Sequence, residues 1–218
     1  MLVDLPELAG INREITFGEL FEEARKPFLH MKDEPDAELL LGGFWSERLR
    51  YLFEQRGYDI RAIRAVTAGL VGPTLDNSPT ELDSPLRMRR KLEALSQMTG
   101  SEALLGVAAL LKRVKNISKG VTAQDGIPGG DALKEPAEVA LRDALASGAS
   151  GIRSAASRGD YKHAFAGIAA LRPAVATFFD DVMVMAEDKV LRDTRLQLVA
   201  ALRDLILEIA DLSEMAAE

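Results

Sequence analysis

The spacing of apolar residues constrains this chain more than any other feature. Near the C-terminus they recur three, four or seven positions apart, which places them on one face of an α-helix. These residues are Leu191, Leu198, Leu202, Leu205, Ile209 and Leu212. Aromatic residues make up only 6% of the chain, and β-branched residues rarely cluster, so no segment predicts a strand. The sequence predicts an all-α fold, a helical bundle of about nine helices.

Helix boundaries follow from capping residues. Thr16 and Glu19 are spaced as a capping box, which predicts a first helix from there to about Pro27. Side chains that cap helix N-termini, or prolines suited to a first turn, mark later starts. These starts lie near Asp36, Asp59, Ser84-Pro85, Ser101, Pro136, Asp160 and Asp188. Gly57 is suited to end the second helix. We expect residues 1–35 to form a lead-in with the first helix, and residues 36–218 to form the main helical domain.

Glycine and proline indicate loops and breaks in this pattern. Residues 69–83 and 119–131 are rich in loop-forming residues and have no apolar period. Gly148 and Gly151 predict an interruption in the helix that starts at Pro136. Farther on, Phe178, Val182 and Met185 are spaced as one buried stripe, so we expect the Met183 and Met185 pair to lie in the core or in a helix–helix seam.

Composition excludes several kinds of site. The chain has no cysteine, which rules out disulfides, thiolate metal sites and cysteine nucleophiles. Its two histidines, His30 and His163, stand far apart, and adjacent carboxylates such as Asp180 and Asp181 diverge on a helix. No phosphate-binding loop is present, and no uncharged apolar run approaches the roughly 20 residues of a membrane span. We therefore predict no catalytic residue, no metal site and no membrane partner.

Charge is unevenly distributed. The net charge is −7, yet residues 86–120 contain eight basic and only two acidic residues. The basic residues are Arg87, Arg89, Arg90, Lys91, Lys112, Arg113, Lys115 and Lys119. A local patch of this kind is what contact with a polyanion requires, although such clusters are more often solvated helix faces. Asn116 adds a side chain that can bond a base edge or cap a helix. The segment has no aromatic residue, so unpaired bases would stack on arginine side chains, or on Trp45 and Tyr51.

Several runs of sequence carry a resemblance to a known family. They are F-F-D-D-V-M-V-M-A-E-D at 178–188, L-R-D-T-R-L-Q-L at 191–198, I-A-D-L-S at 209–213, F-W-S-E-R-L-R-Y-L-F-E-Q-R-G-Y-D-I at 44–60 and K-R-V-K-N-I at 112–117. In order and spacing they resemble the C-terminal domain of the bacterial glycyl-tRNA synthetase β subunit. The resemblance extends from about Phe17 to Ser213, and a similar helical module occurs in arginyl-tRNA synthetases, which belong to class I.

The resemblance implies a function. The family enzyme is a cytoplasmic α2β2 assembly that attaches glycine to tRNA(Gly), and its α subunit holds the class II site with ATP and magnesium. The C-terminal domain of the β subunit is a helical anticodon-binding domain. By this resemblance the chain is one non-catalytic domain of a longer β subunit and binds no cofactor itself. Its partners are tRNA(Gly), the α subunit and the rest of the β subunit.

Two functions remain open from the sequence. In the first, the chain binds tRNA through residues of the basic segment and reads anticodon bases. The candidate residues are Arg87, Arg89, Arg90, Lys91, Lys112, Arg113, Lys115 and Asn116. In the second, the helical stripes form a protein-interaction module that docks on the rest of the synthetase, and RNA contact is incidental. A large exposed apolar patch would favour the second.

Overall fold

The computed structural model describes residues 3–4, 15–16, 19–20, 23–24, 26–28, 37–68, 84–98, 100–123, 127–128 and 133–216. Within these ranges, eight α-helices have both ends described and no residue lies in a strand. The helices are α1 (Ala37–Gln55), α2 (Ile60–Thr67), α3 (Pro85–Gln97), α4 (Glu102–Ile117), α5 (Pro136–Ser157), α6 (Tyr161–Ala170), α7 (Arg172–Asp181) and α8 (Lys189–Leu207). Short 3₁₀ helices cover Lys26–Phe28 and Leu212–Met215. The all-α prediction is confirmed.

Most of the predicted caps are confirmed by hydrogen bonds. Carboxylates of Asp59, Asp160 and Asp188 accept backbone N–H groups two or three residues ahead, at 2.8, 3.3 and 3.1 Å. Ser101 Oγ accepts from the amide of Leu104 at 3.4 Å. In the first predicted helix, the two reciprocal capping-box bonds between Thr16 and Glu19 are both 3.1 Å. Much of that helix, like residues 69–83, lies outside the described residues.

The chain divides into two compact units, Met1–Gln97 and Met98–Glu218. In the first unit, α1 packs on α2, and α2 packs on α3. Its core is built from fully buried side chains, namely Phe53, Ile63, Met88, Leu92 and Leu95. The chain turns between α1 and α2 at Gly57, whose φ of 82° suits a residue without a Cβ. The division near residue 35 falls among sparsely described residues and stays a prediction.

The second unit contains α4 to α8. Helices α5, α6 and α7 pack on one another, while α4 contacts α6, α7, α8 and the 3₁₀ helix that follows α8. The core comprises fully buried residues from all five helices, including Leu111, Leu141, Leu145, Phe165, Ile168, Phe178 and Leu198. At the crossing of α5 and α6, a Cβ on Gly167 would lie 2.8 Å from Ile152 Cγ1, so this close approach requires glycine.

Two expectations about the second unit are wrong. Helix α5 runs without a break through Gly148 and Gly151, because its flanking turns are held by packing on α6 and α7. Met183 and Met185 are 75% and 62% exposed rather than buried. Helix α7 ends at Asp181 and Val182 is extended, so the helical spacing that predicted a stripe through Met185 no longer applies there.

Within the described ranges, no single helix is both long and apolar enough to cross a membrane, and only α3 and α4 taken together reach that length and composition.

Candidate nucleic-acid interface

The basic cluster of α3 is not freely exposed. Arg89, whose side chain is only 14% exposed, donates to Asp4 Oδ1 at 2.9 Å and lies 3.4 Å from Glu93 Oε1. Lys91 is buried. Arg87 and Arg90 are half-buried, and neither is free of an intramolecular interaction. The structure thus places Arg89 of the predicted cluster against the first unit and leaves none of the four residues wholly in solvent.

Asp4 is the acidic centre of this arrangement. Arg56 donates to both of its carboxylate oxygens, at 2.9 and 2.6 Å. The hydrogen bond from Arg56 is the main reason why the pKa of Asp4 lies far below its ordinary value. Partial burial opposes the shift, and the hydrogen bond from Arg89 adds to it. Two arginines are therefore held by one ionised carboxylate.

The basic cluster of α4 faces outward in the second unit. Lys112, Arg113 and Asn116 are all exposed, as is Lys119 just beyond the helix. Lys115 turns the other way, and its Nζ lies 2.5 Å from Asp211 Oδ2 and 3.1 Å from Ser213 Oγ. Three of the four residues predicted on this helix are thus presented together, and Lys115 instead fastens α4 to the 3₁₀ helix. We call the exposed side chains of Lys112, Arg113, Asn116 and Lys119 the α4 face.

Arg203, which sequence reasoning missed, fixes the end of α4 that carries this face. The buried guanidinium donates from Nη1 to Ser118 O at 2.7 Å and to Ser118 Oγ at 3.1 Å, and from Nη2 to Val121 O at 2.9 Å. A cation at a helix C-terminus also interacts favourably with the carbonyl ends there. Together with Lys115, Arg203 holds the α4 face in one position before any ligand arrives.

Arg113 lies over an aromatic ring from α7. Its guanidinium carbon is 4.4 Å from the centre of the Phe179 ring, and its Nη2 is 3.5 Å from Phe179 O. The ring is buried, while the arginine is exposed. Among the described residues Arg113 has no carboxylate partner. A guanidinium plane backed by a ring is suited to stacking with an unpaired base on its other face.

The first unit also exposes aromatic side chains. On α1, Phe44 and Tyr51 are 48% and 61% exposed, and the guanidinium carbon of Arg48 lies 5.3 Å from the Phe44 ring centre. Trp45 is half-buried. Of the two aromatic residues predicted to be available for stacking, Tyr51 is the more accessible.

His163 has a local role in helix α6. Its Nδ1 lies 2.6 Å from the carboxylate of the capping residue Asp160, and this hydrogen bond lowers the pKa of Asp160. The described residues contain no group of three or more His, Asp or Glu side chains placed to hold a metal ion. His30 lies outside them.

Two arginines of α8 donate hydrogen bonds to the backbone of the segment between α7 and α8. Arg195 donates to Met183 O at 2.8 Å and forms a buried ion pair with Glu138, while Arg192 donates to Ala186 O at 3.0 Å. Val190, on the first turn of α8, is 71% exposed. Met183, Met185 and Val190 are therefore exposed apolar side chains in or next to a segment whose backbone is held by arginines.

One family of known proteins matches the second unit of the chain. The family described as the DALR anticodon binding domain matches residues 107–215, half of the chain, including α5 to α8 and most of α4. The chain belongs to this family of anticodon-binding domains.

Curated relatives with similar sequences are named glycine–tRNA ligase beta subunit. The protein from Ralstonia nicotianae is 33% identical over 217 residues, which is 100% of this chain and 29% of that protein. Those from Dechloromonas aromatica and Aromatoleum aromaticum are 35% and 38% identical, over 96% and 84% of this chain and 28% and 25% of their own length. The chain therefore spans less than a third of these relatives.

Proposed function

We propose that this chain is the anticodon-binding domain of a glycyl-tRNA synthetase β subunit and binds the anticodon arm of tRNA(Gly) through the α4 face. The observation that carries the proposal is the outward presentation of Lys112, Arg113 and Asn116 on a helix whose end is fixed by Arg203. This helix lies mostly within the match to the anticodon-binding family.

The chemistry of the α4 face suits single-stranded RNA. Lys112 and Lys119 are exposed ammonium groups that supply phosphate contacts, which position the RNA without reading its sequence. Asn116 can donate to and accept from one base edge at the same time. Arg113 offers a stacking plane for a splayed base. Because Arg203 and Lys115 fix the helix end, little ordering is needed on binding.

In this proposal the chain acts within a larger enzyme. The parent assembly is an α2β2 glycine–tRNA ligase of the cytoplasm, in which ATP and magnesium serve the α-subunit site and this domain holds no cofactor. The support is the similarity of the chain to the beta subunits named above. The domain contributes tRNA recognition and no bond-making step.

A binding titration tests the proposal. The 218-residue chain is titrated into a labelled anticodon stem-loop of tRNA(Gly), and into stem-loops with altered anticodon bases, at two salt concentrations. We expect binding that weakens with salt and with anticodon changes. The double variant K112E/K119E should bind about 30-fold more weakly, since two phosphate contacts become repulsions.

A matched control separates the α4 face from general charge. K162E/K189E makes the same charge change at two exposed lysines on α6 and α8, and we expect its affinity to stay within threefold of wild type. If both double variants lose affinity equally, or if the wild-type chain binds no stem-loop at low salt, the proposed function is wrong.

Three exposed apolar side chains favour a second candidate function, a protein-interaction module. Met183, Met185 and Val190 are among the most exposed large apolar side chains described, on a backbone held by Arg195 and Arg192. Under this alternative, a triple substitution to Ser would abolish association with the remaining synthetase polypeptides in gel filtration without tRNA. Under the first proposal, the same variant keeps its affinity for the stem-loop.

A further inference from the structure

Arg172, the first residue of α7, lies across α4 at a glycine. A Cβ built on Gly106 would lie 2.3 Å from Arg172 Nε and 2.7 Å from its Cζ. The guanidinium therefore occupies the space that any other side chain at position 106 would take. Arg172 is half-buried, and among the described residues it has no carboxylate partner.

Two guanidinium groups connect α4 and α7. Arg172 of α7 lies on Gly106 of α4, and Arg113 of α4 lies on Phe179 of α7. On each helix the second contact lies seven residues after the first, so α4 and α7 run in the same direction here. Seven residues correspond to about 10.5 Å at 1.5 Å per residue. This is the length of about three stacked nucleotides at 3.4 Å each.

The structure assigns to Arg172 a role as a phosphate-binding residue for the RNA strand whose base stacks on Arg113. This inference rests on the proposed function and adds a residue outside the basic segment to the RNA site. Arg113 and Arg172 thus form the two ends of one binding site along α4 and α7.

The charges near the two arginines indicate which one binds a phosphate and which one stacks on a base. Asp180 and Asp181 directly follow Phe179 and are exposed, so their negative charge disfavours a phosphate at the Arg113 end more than an uncharged base. Around Arg172 the neighbours on α7, Pro173 and Ala174, carry no charge. A phosphate is therefore favoured at the Arg172 end of the site and a base at the Arg113 end.

The direct test is Arg172→Gln in the 218-residue chain, titrated with the anticodon stem-loop over a series of salt concentrations. We expect affinity to fall about five- to tenfold, and the slope of log K against log salt to become shallower by about 0.7, the value of one phosphate contact to a single strand. Arg158→Gln removes the same charge from an exposed arginine at the end of α5, and we expect it to leave both quantities unchanged.

Gly106→Ala tests the same site while keeping every charge. The new methyl group must displace the flexible end of Arg172, and alanine is a better helix former than glycine, so α4 is retained. We expect RNA affinity to fall about as far as in Arg172→Gln, with the same circular dichroism spectrum as wild type. If Arg172 only covers the glycine, Gly106→Ala binds RNA as wild type does.

The outcomes separate this inference from the proposed function. If wild type binds, K112E/K119E binds about 30-fold more weakly, and both Arg172→Gln and Gly106→Ala keep wild-type affinity and salt slope, the inference is wrong and the proposed function stands. If Arg172→Gln fails to fold, Gly106→Ala decides alone. If wild type itself does not bind, both are wrong.

Discussion

The two basic clusters of this chain are alike in sequence and different in structure. In the cluster of α3, Arg89 bonds to Asp4 of the same unit and Lys91 is buried. The cluster of α4 leaves Lys112, Arg113 and Asn116 exposed. The difference comes from acidic partners distant in sequence, since Asp4 lies 85 residues before Arg89. A count of basic residues therefore does not locate a binding surface, because the partners of each cation decide whether it is available.

The largest effect should follow from loosening the α4 face itself. Arg203→Met removes three hydrogen bonds to Ser118 and Val121 and leaves the part-buried carbonyl of Val121 without this donor. We expect a loss of about 2–4 kcal/mol in the free energy of unfolding, measured by urea denaturation.

RNA affinity should fall too, although Arg203 itself is buried, because the end of α4 becomes mobile. Arg153→Met is the control, since it breaks an exposed ion pair with Glu208 and should cost less than about 1 kcal/mol. Unchanged stability in Arg203→Met would show that the α4 face is not held in the way described.

A paired substitution sharpens the comparison between clusters. Arg89→Met leaves Asp4 and Glu93 without this partner, and we expect it to lower the free energy of unfolding by about 1–2 kcal/mol while RNA affinity stays within twofold. Lys112→Met should show the reverse, with stability within about 0.5 kcal/mol of wild type and RNA binding about fivefold weaker. If Arg89→Met weakens RNA binding and Lys112→Met does not, RNA binds at α3 instead.

The smallest effect concerns the pH dependence of the first unit. The pKa of Asp4 is lowered in the folded state, so its stabilising contribution is complete above the unfolded value of about 3.9 and is lost as pH falls below it. We expect Asp4→Asn to cost about 1 kcal/mol at pH 7. The difference between wild type and variant should narrow between pH 5 and pH 3 in urea denaturation, and a constant difference would contradict the ion pairs.

Many helix starts could be predicted from the sequence because a helix cap joins residues only two or three positions apart. The carboxylates of Asp59, Asp160 and Asp188 cap the helices that their positions predicted. The failure at Met185 has an equally local reason. Its spacing from Phe178 continues a helical period, but the helix ends at Asp181 and Val182 is extended, so spacing alone could not show that the side chain is exposed.

The candidate site was less predictable. The exposure of Lys112 and Asn116 agrees with their spacing on one helix face, since they are four residues apart. The inward turn of Lys115 depends on Asp211, which is 96 residues away, and the place of Arg172 depends on the absence of a side chain at Gly106. Such tertiary contacts leave no periodic signal in the sequence. The single sign of the Arg172 contact is Gly106 itself, a glycine in a run of good helix formers.

The central claim is that RNA binds on the α4 face, and nuclear magnetic resonance of the ¹⁵N-labelled 218-residue chain tests it most directly. On titration with the anticodon stem-loop of tRNA(Gly), backbone amides near Lys112, Arg113 and Asn116 should shift most, with those at the start of α7 following. Amides of α3 from Arg87 to Lys91 should shift little. The largest shifts at α3, or around Met183 and Met185 with none on α4, would contradict the account.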